Sequence, residues 1–146
     1  MTVYSISNQF PYAKRADAKE WSLCQFLGVS RTKHDSVRYD RASDISIQNM
    51  EISVKSSAFT LMAGSLCEGL EDFDAIWNLY AERVHSNTFA YITQDFVVYM
   101  MNLAEFKTFV YEFCHIERES EKNGGTAKIR SAKESKKMLN WLASRV

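Results

Sequence analysis

Between residues 44 and 55 the chain reads Asp-Ile-Ser-Ile-Gln-Asn-Met-Glu-Ile-Ser-Val-Lys. Ile45 and Ile47, then Met50, Ile52 and Val54, alternate with polar residues, which is the period of a half-buried strand. Gln48-Asn49 between the two runs fits a two-residue hairpin turn. That register sets Ile47 against Met50, Ser46 against Glu51 and Asp44 against Ser53. Asp44, Glu51, Ser53 and Lys55 then share one face, and aliphatic side chains fill the other. Two carboxylates beside an amine suit metal-assisted phosphodiester cleavage. Carboxylate oxygens hold Mg²⁺, and the cation polarises a phosphate and lowers the pKa of an attacking water. Asp44 and Glu51 are the expected ligands, with the Val54 carbonyl as a third, while Lys55 orients the water or offsets charge in the transition state. A plainer reading stands beside this one: antiparallel hairpins commonly keep one solvated face, and Asp, Glu, Ser and Lys are its usual residues.

The elements that must hold this hairpin are legible on either side of it. Trp21, Cys24 and Leu27, flanked by Leu23 and Phe26, recur at helical spacing and are followed by Gly28, so a helix is predicted over 13–27. The polar stretch after it carries Arg31, Lys33, Arg38 and Arg41 and reads as loop with one short strand at 36–39. Beyond the hairpin, a small-residue loop containing Gly64 and Gly69 leads to Phe73, Ile76, Trp77, Tyr80 and Val84, which trace one helix face. Residues 88–93 and 96–101 are two further strands about Gln94-Asp95. Asn102 with Glu105 makes a capping-box start for a helix whose stripe is Phe106, Phe109, Val110 and Phe113. Asn123-Gly124-Gly125 is a turn, 126–130 a short strand, and Ser131 with Glu134 a second capping box opening a last helix that packs Met138, Leu139 and Leu142. The expected fold is a single α/β (α+β) domain with a mixed central sheet of four to five strands and helices packed on it.

Asp44, followed by Ser53-Val54-Lys55 ahead of Ser56-Ser57, resembles the PD-(D/E)xK nuclease superfamily. The order of elements agrees over residues 15–117: a helix, a hairpin, a crossover helix, two strands and a helix. The resemblance implies a restriction-endonuclease-like fold, Mg²⁺ as cofactor and DNA as substrate. It also implies metal binding by Asp44 and by the acid two residues before Lys55, with Glu20 on the preceding helix as a further ligand. The match departs at that second acid, because position 53 is serine. Glu51 lies on the same strand face about 6 to 7 Å away and substitutes only if the metal shifts.

Composition narrows the class. The 146 residues carry 18 Lys+Arg against 18 Asp+Glu, with 46% hydrophobic and 13% aromatic residues, which excludes disordered, collagenous and coiled-coil chains. The longest apolar run, Phe96 to Met101, is far short of the roughly 20 residues a membrane-spanning helix needs. The first fifteen residues lack the pattern of a secretory signal, so a cytoplasmic protein is expected. Cys24, Cys67 and Cys114 read as reduced core thiols, and with no CxxC pair and with His34, His85 and His115 isolated, a zinc site is not expected.

Charge is unevenly spread. Residues 122–146 hold Lys122, Lys128, Arg130, Lys133, Lys136, Lys137 and Arg145 against the single acid Glu134. Lys133, Lys137 and Trp141 at i, i+4 and i+8 are expected to give one helix face two cations and a stacking ring; with Lys128 and Arg130 they form a nucleic-acid-binding set. Two functions follow as expectations. The first is a Mg²⁺-dependent endonuclease or nuclease-like DNA-binding protein, working as a homodimer or in a complex. The second is a non-catalytic interaction protein on that scaffold, binding a host or defence protein. The stretches ESEKNGG and KESKKMLNWL resemble small proteins encoded by bacteriophages.

Overall fold

A computed structural model describes residues 1–29, 44–65, 72–118 and 126–146. The strand expected at 36–39, Gly69, His34, Cys67 and the turn at 123–125 lie outside the described residues. In order, the chain forms β1 (Thr2–Ser5), α1 (Arg15–Leu27), β2 (Ile45–Ile47), β3 (Met50–Ser56), β4 (Thr60–Ser65), α2 (Phe73–Arg83), β5 (Thr88–Ile92), β6 (Val97–Asn102), α3 (Leu103–Phe113), β7 (Cys114–Arg118), β8 (Thr126–Ser131) and α4 (Lys136–Ser144).

The helix boundaries have local causes. Gly28 ends α1 in the left-handed region at φ 69°, where its N–H reaches back to the Gln25 carbonyl. The Asn102 side chain accepts from the Glu105 N–H at 2.8 Å, and the Glu105 carboxylate accepts from the Asn102 N–H at 3.0 Å, the reciprocal box that opens α3. The second expected box is corrected. Ser131 belongs to β8, and α4 is capped by Ser135, whose hydroxyl accepts from the Met138 N–H.

β1, β6, β5, β3 and β2 form a five-stranded sheet in that order, in which β3 and β5 are parallel and the other pairs antiparallel. β4, β8 and β7 form a second, antiparallel sheet. The fold is therefore α/β as expected, with an added small sheet. The chain passes between the sheets at Ala58, which takes φ 61° directly after β3.

Both faces of the large sheet are covered. Leu23 and Cys24 of α1 pack with Ile45, Ile52, Ala90, Ile92 and Val98 on one face. On the other face a larger aromatic core gathers residues from α2, α3, α4, β4 and β8 over Phe89 and Tyr91. Phe106 lies at its centre, stacked on Phe89 with ring centroids 4.3 Å apart and planes within 4°. It also meets Phe59, Trp77 and Phe109.

Phe106→Ala should cost about 3–5 kcal/mol in urea unfolding, because a fully buried ring leaves a cavity bordered by four other rings. A cost below about 1 kcal/mol would mean that the rings do not pack this way. The Asn102 N–H, together with the Met1 ammonium 2.6 Å away, holds the Glu105 carboxyl below its ordinary range. Its stabilisation is therefore full above the unfolded carboxyl value of about 4.3 and is lost as pH falls through the lower folded value. Glu105→Gln should flatten the acid limb of a stability–pH curve; an unchanged limb would remove Glu105 from it.

Candidate functional site

The hairpin forms with the expected register: Ile45 opposite Ile52, Ser46 opposite Glu51 and Ile47 opposite Met50. Its polar face, however, is solvated only at the rim, around Ser46 and Glu51. β3 lies between β2 and β5, and the pairing of Ser53 with Phe89 and Lys55 with Tyr91 turns both polar residues toward the larger core. Ser53 is 7% exposed and Lys55 8%. Sheet pleat alone cannot tell a solvated face from one roofed by distant elements, and here α2, α3 and the second sheet supply the roof.

The two carboxylates are used separately. An Asp44 oxygen accepts from the Val54 N–H at 2.8 Å, so the carboxylate extends the β2–β3 ladder one step beyond Ile45. Glu51 sits at the opposite, outer end of β3, where it accepts from the Ser46 hydroxyl at 2.5 Å. Its backbone N–H and carbonyl are held by Asn87, through the Asn87 side-chain oxygen and N–H respectively. From Glu51 to Lys55 the strand advances about 13 Å. Glu20 stands on α1, which packs on the Ile52 face rather than the Ser53 face. Among the described residues no three of His, Cys, Asp and Glu come together to hold a cation. Asp44 and Glu51, the two acids expected to share a cation, are thus held at separate places along β3.

A different polar cluster lies at the carboxyl ends of the parallel strands. The Glu134 carboxylate accepts from the Gln94 N–H at 3.1 Å and from the Tyr91 hydroxyl at 3.5 Å. The Glu134 N–H donates to the Ser57 hydroxyl at 3.1 Å. Lys19 of α1, 4% exposed, is pulled down from its usual range by burial, with Glu134 acting in the opposite sense. Burial, and Glu134 after it, pushes the Tyr91 phenol up. The cluster ties α1, the β5–β6 turn, the end of β3 and the β8–α4 link together. Sequence reasoning recognised Glu134 as an acid that accepts a backbone N–H but chose the wrong amide: the donor is 40 residues away in sequence. Lys19 and Tyr91 carried no local signal, since a charged residue among apolar ones and a tyrosine in a strand are both common.

The basic set is also rearranged. Lys133 precedes α4 instead of lying on it, so no face joins Lys133, Lys137 and Trp141. Trp141 packs against Phe109 and Phe113, and the Arg145 guanidinium covers its ring at 4.3 Å. Arg130 pairs with Glu117 at 3.2 Å on the outer face of the small sheet, beside Lys128. Lys133, Lys136 and Lys137 remain exposed. Cys24 is a buried thiol, and burial pushes the Cys114 thiol up to about 12, which suits an inert core residue. No helix of the described residues is long and apolar enough to cross a membrane.

No family model, no curated protein and no solved structure matches the chain. Asp44→Ala should destabilise the fold by about 1–3 kcal/mol, because it strands the part-buried Val54 N–H, whereas Glu51→Gln at the exposed rim should cost under about 0.5 kcal/mol. Equal costs in chemical denaturation would refute this division of roles.

Proposed function

We propose that the chain is a non-catalytic binding protein built on a nuclease-like sheet. The supporting observation is the separate employment of the four hairpin residues. Asp44 is bonded to the β3 backbone, Glu51 is held at the far rim, and Ser53 and Lys55 are buried against the aromatic core. Bringing a second carboxylate to Lys55 would require Glu51 to leave Ser46 and travel most of the length of β3. Ser53 supplies only a hydroxyl where a hard cation needs a carboxylate.

A metal-dependent DNA endonuclease is the second reading, favoured by one observation. The Asp44 carboxylate does lie against β3, one residue from Lys55.

The experiment titrates Mg²⁺ or Mn²⁺ into the protein with single-stranded, duplex and branched DNA. No cleavage of any of the three is expected. The control is Asp44→Asn, which keeps a side-chain oxygen for the Val54 N–H while removing the charge. Cleavage by the unmodified chain that disappears in Asp44→Asn would overturn the binding reading in favour of the nuclease.

A further inference from the structure

We infer that the open edge of β1 is a self-association surface, to which a second copy of this chain adds its own β1 in the antiparallel sense across a two-fold axis at Tyr4. The inference goes beyond the binding reading and does not rest on it.

The ladder fixes which backbone groups face outward. β1 is the end strand of the large sheet, paired to β6 with Tyr4 opposite Val98, and no strand of the described residues lies on its other side. The Ile6 N–H donates to the Phe96 carbonyl at 3.0 Å, while the Val97 carbonyl accepts from the Thr93 N–H at 2.9 Å and so faces away from β1. Hydrogen bonding alternates along an antiparallel strand, so Thr2, Tyr4 and Ile6 turn their backbone groups to β6, and Val3 and Ser5 turn theirs outward.

Nothing in the strand guards that edge. From Thr2 to Ser7 there is no charge and no proline, and the β1 register has no bulge. By contrast, the edge strand β2 has only three residues and its Ser46 hydroxyl is tied to Glu51, while the edge strand β7 carries His115 and Glu117. Apolar side chains flank the β1 edge on both faces. Tyr4 and Phe26, 36% and 48% exposed, lie with ring centroids 5.4 Å apart on the α1 face, and Val3, 38% exposed, points to the opposite face.

The strand's own symmetry selects the partner. A two-fold axis at Tyr4 sets Val3 of each copy opposite Ser5 of the partner subunit, so each outward N–H meets a carbonyl of the other copy. Tyr4 then meets its own counterpart at the closer, non-hydrogen-bonded spacing, where aromatic pairs stabilise a sheet and like charges would oppose it. The Tyr4–Phe26 pairs of the two copies fall on the same face and adjoin across the axis. A foreign strand would have to bring a neutral sequence with an aromatic residue in this one register, whereas a second copy already carries it. The two five-stranded sheets become one continuous sheet, and because the contact is isologous the assembly closes at two copies.

Sedimentation equilibrium of the full chain, without metal or nucleic acid, measures the association directly. One short strand per copy makes a contact smaller than a standard interface, so dimerisation is expected at about 10 µM to 1 mM. Ser5→Pro deletes an outward N–H and puts a ring where the partner strand sits, yet it spares the β6 ladder, which does not use that N–H. Tyr4→Lys sets two like charges face to face. Each should weaken association more than about tenfold, with circular dichroism and the urea midpoint reporting that the fold is kept. Tyr111→Lys, at an exposed ring on α3, should leave it unchanged. A chain that is still monomeric at about 1 mM overturns the inference, as does a dimer that the folded variants preserve or that Tyr111→Lys dissolves. Growth beyond the dimer also overturns it, since a two-fold contact closes. Where Ser5→Pro fails to fold, Tyr4→Lys decides. The DNA-cleavage assay speaks to the binding reading alone and leaves this surface untouched.

Discussion

Because β3 runs parallel to β5, the chain cannot return through a tight turn and must cross the sheet before pairing again. It does so through β4 and α2, and this excursion creates the second sheet and closes the larger core. With strands on both sides and layers above and below, Ser53 and Lys55 in the inner part of β3 are closed off, while Met50 and Glu51 at its start stay at the rim. Parallel pairs typically demand burial on both faces, and β3 obeys although its sequence alternates like a strand with one wet side. Ser53 and Lys55 are carried inside by that pairing.

The same constraint explains where the sequence was readable. The hairpin register, the α3 capping box and the stripes on α2 and α3 rest on residues within a few positions of one another, and they appear as expected. β1, β4 and β7 were not foreseen. Val3 and Tyr4 of β1 stay exposed at a sheet edge, so that strand shows no apolar period. β4 carries Ala63-Gly64-Ser65, a composition that reads as loop and becomes a strand only by pairing with β8 more than 60 residues later. β7 follows α3 directly, with Cys114 serving at once as helix cap and first strand residue.

At the site the division is similar. Spacing alone puts Glu51, Ser53 and Lys55 on one pleated face, with Asp44 just before β2, but what lies over that face is decided by distant parts of the chain. Glu134 shows this most directly, because its carboxylate serves an amide in another hairpin instead of its own helix. That diversion moves the start of α4 to Lys136 and separates Lys133 from the helix. One hydrogen-bonding choice by Glu134 thus accompanies a later helix start and a Lys133 that lies off the helix.

Asp44 has a consequence for how motifs endure. Its carboxylate completes a strand ladder, a task unconnected with cutting phosphodiesters. Selection for folding alone would keep an aspartate there, just as it would keep the buried lysine at 55. At position 53 a small serine is accommodated under the aromatic roof. The demands of the fold thus give an acid at 44 a reason to persist whatever the chain binds or does.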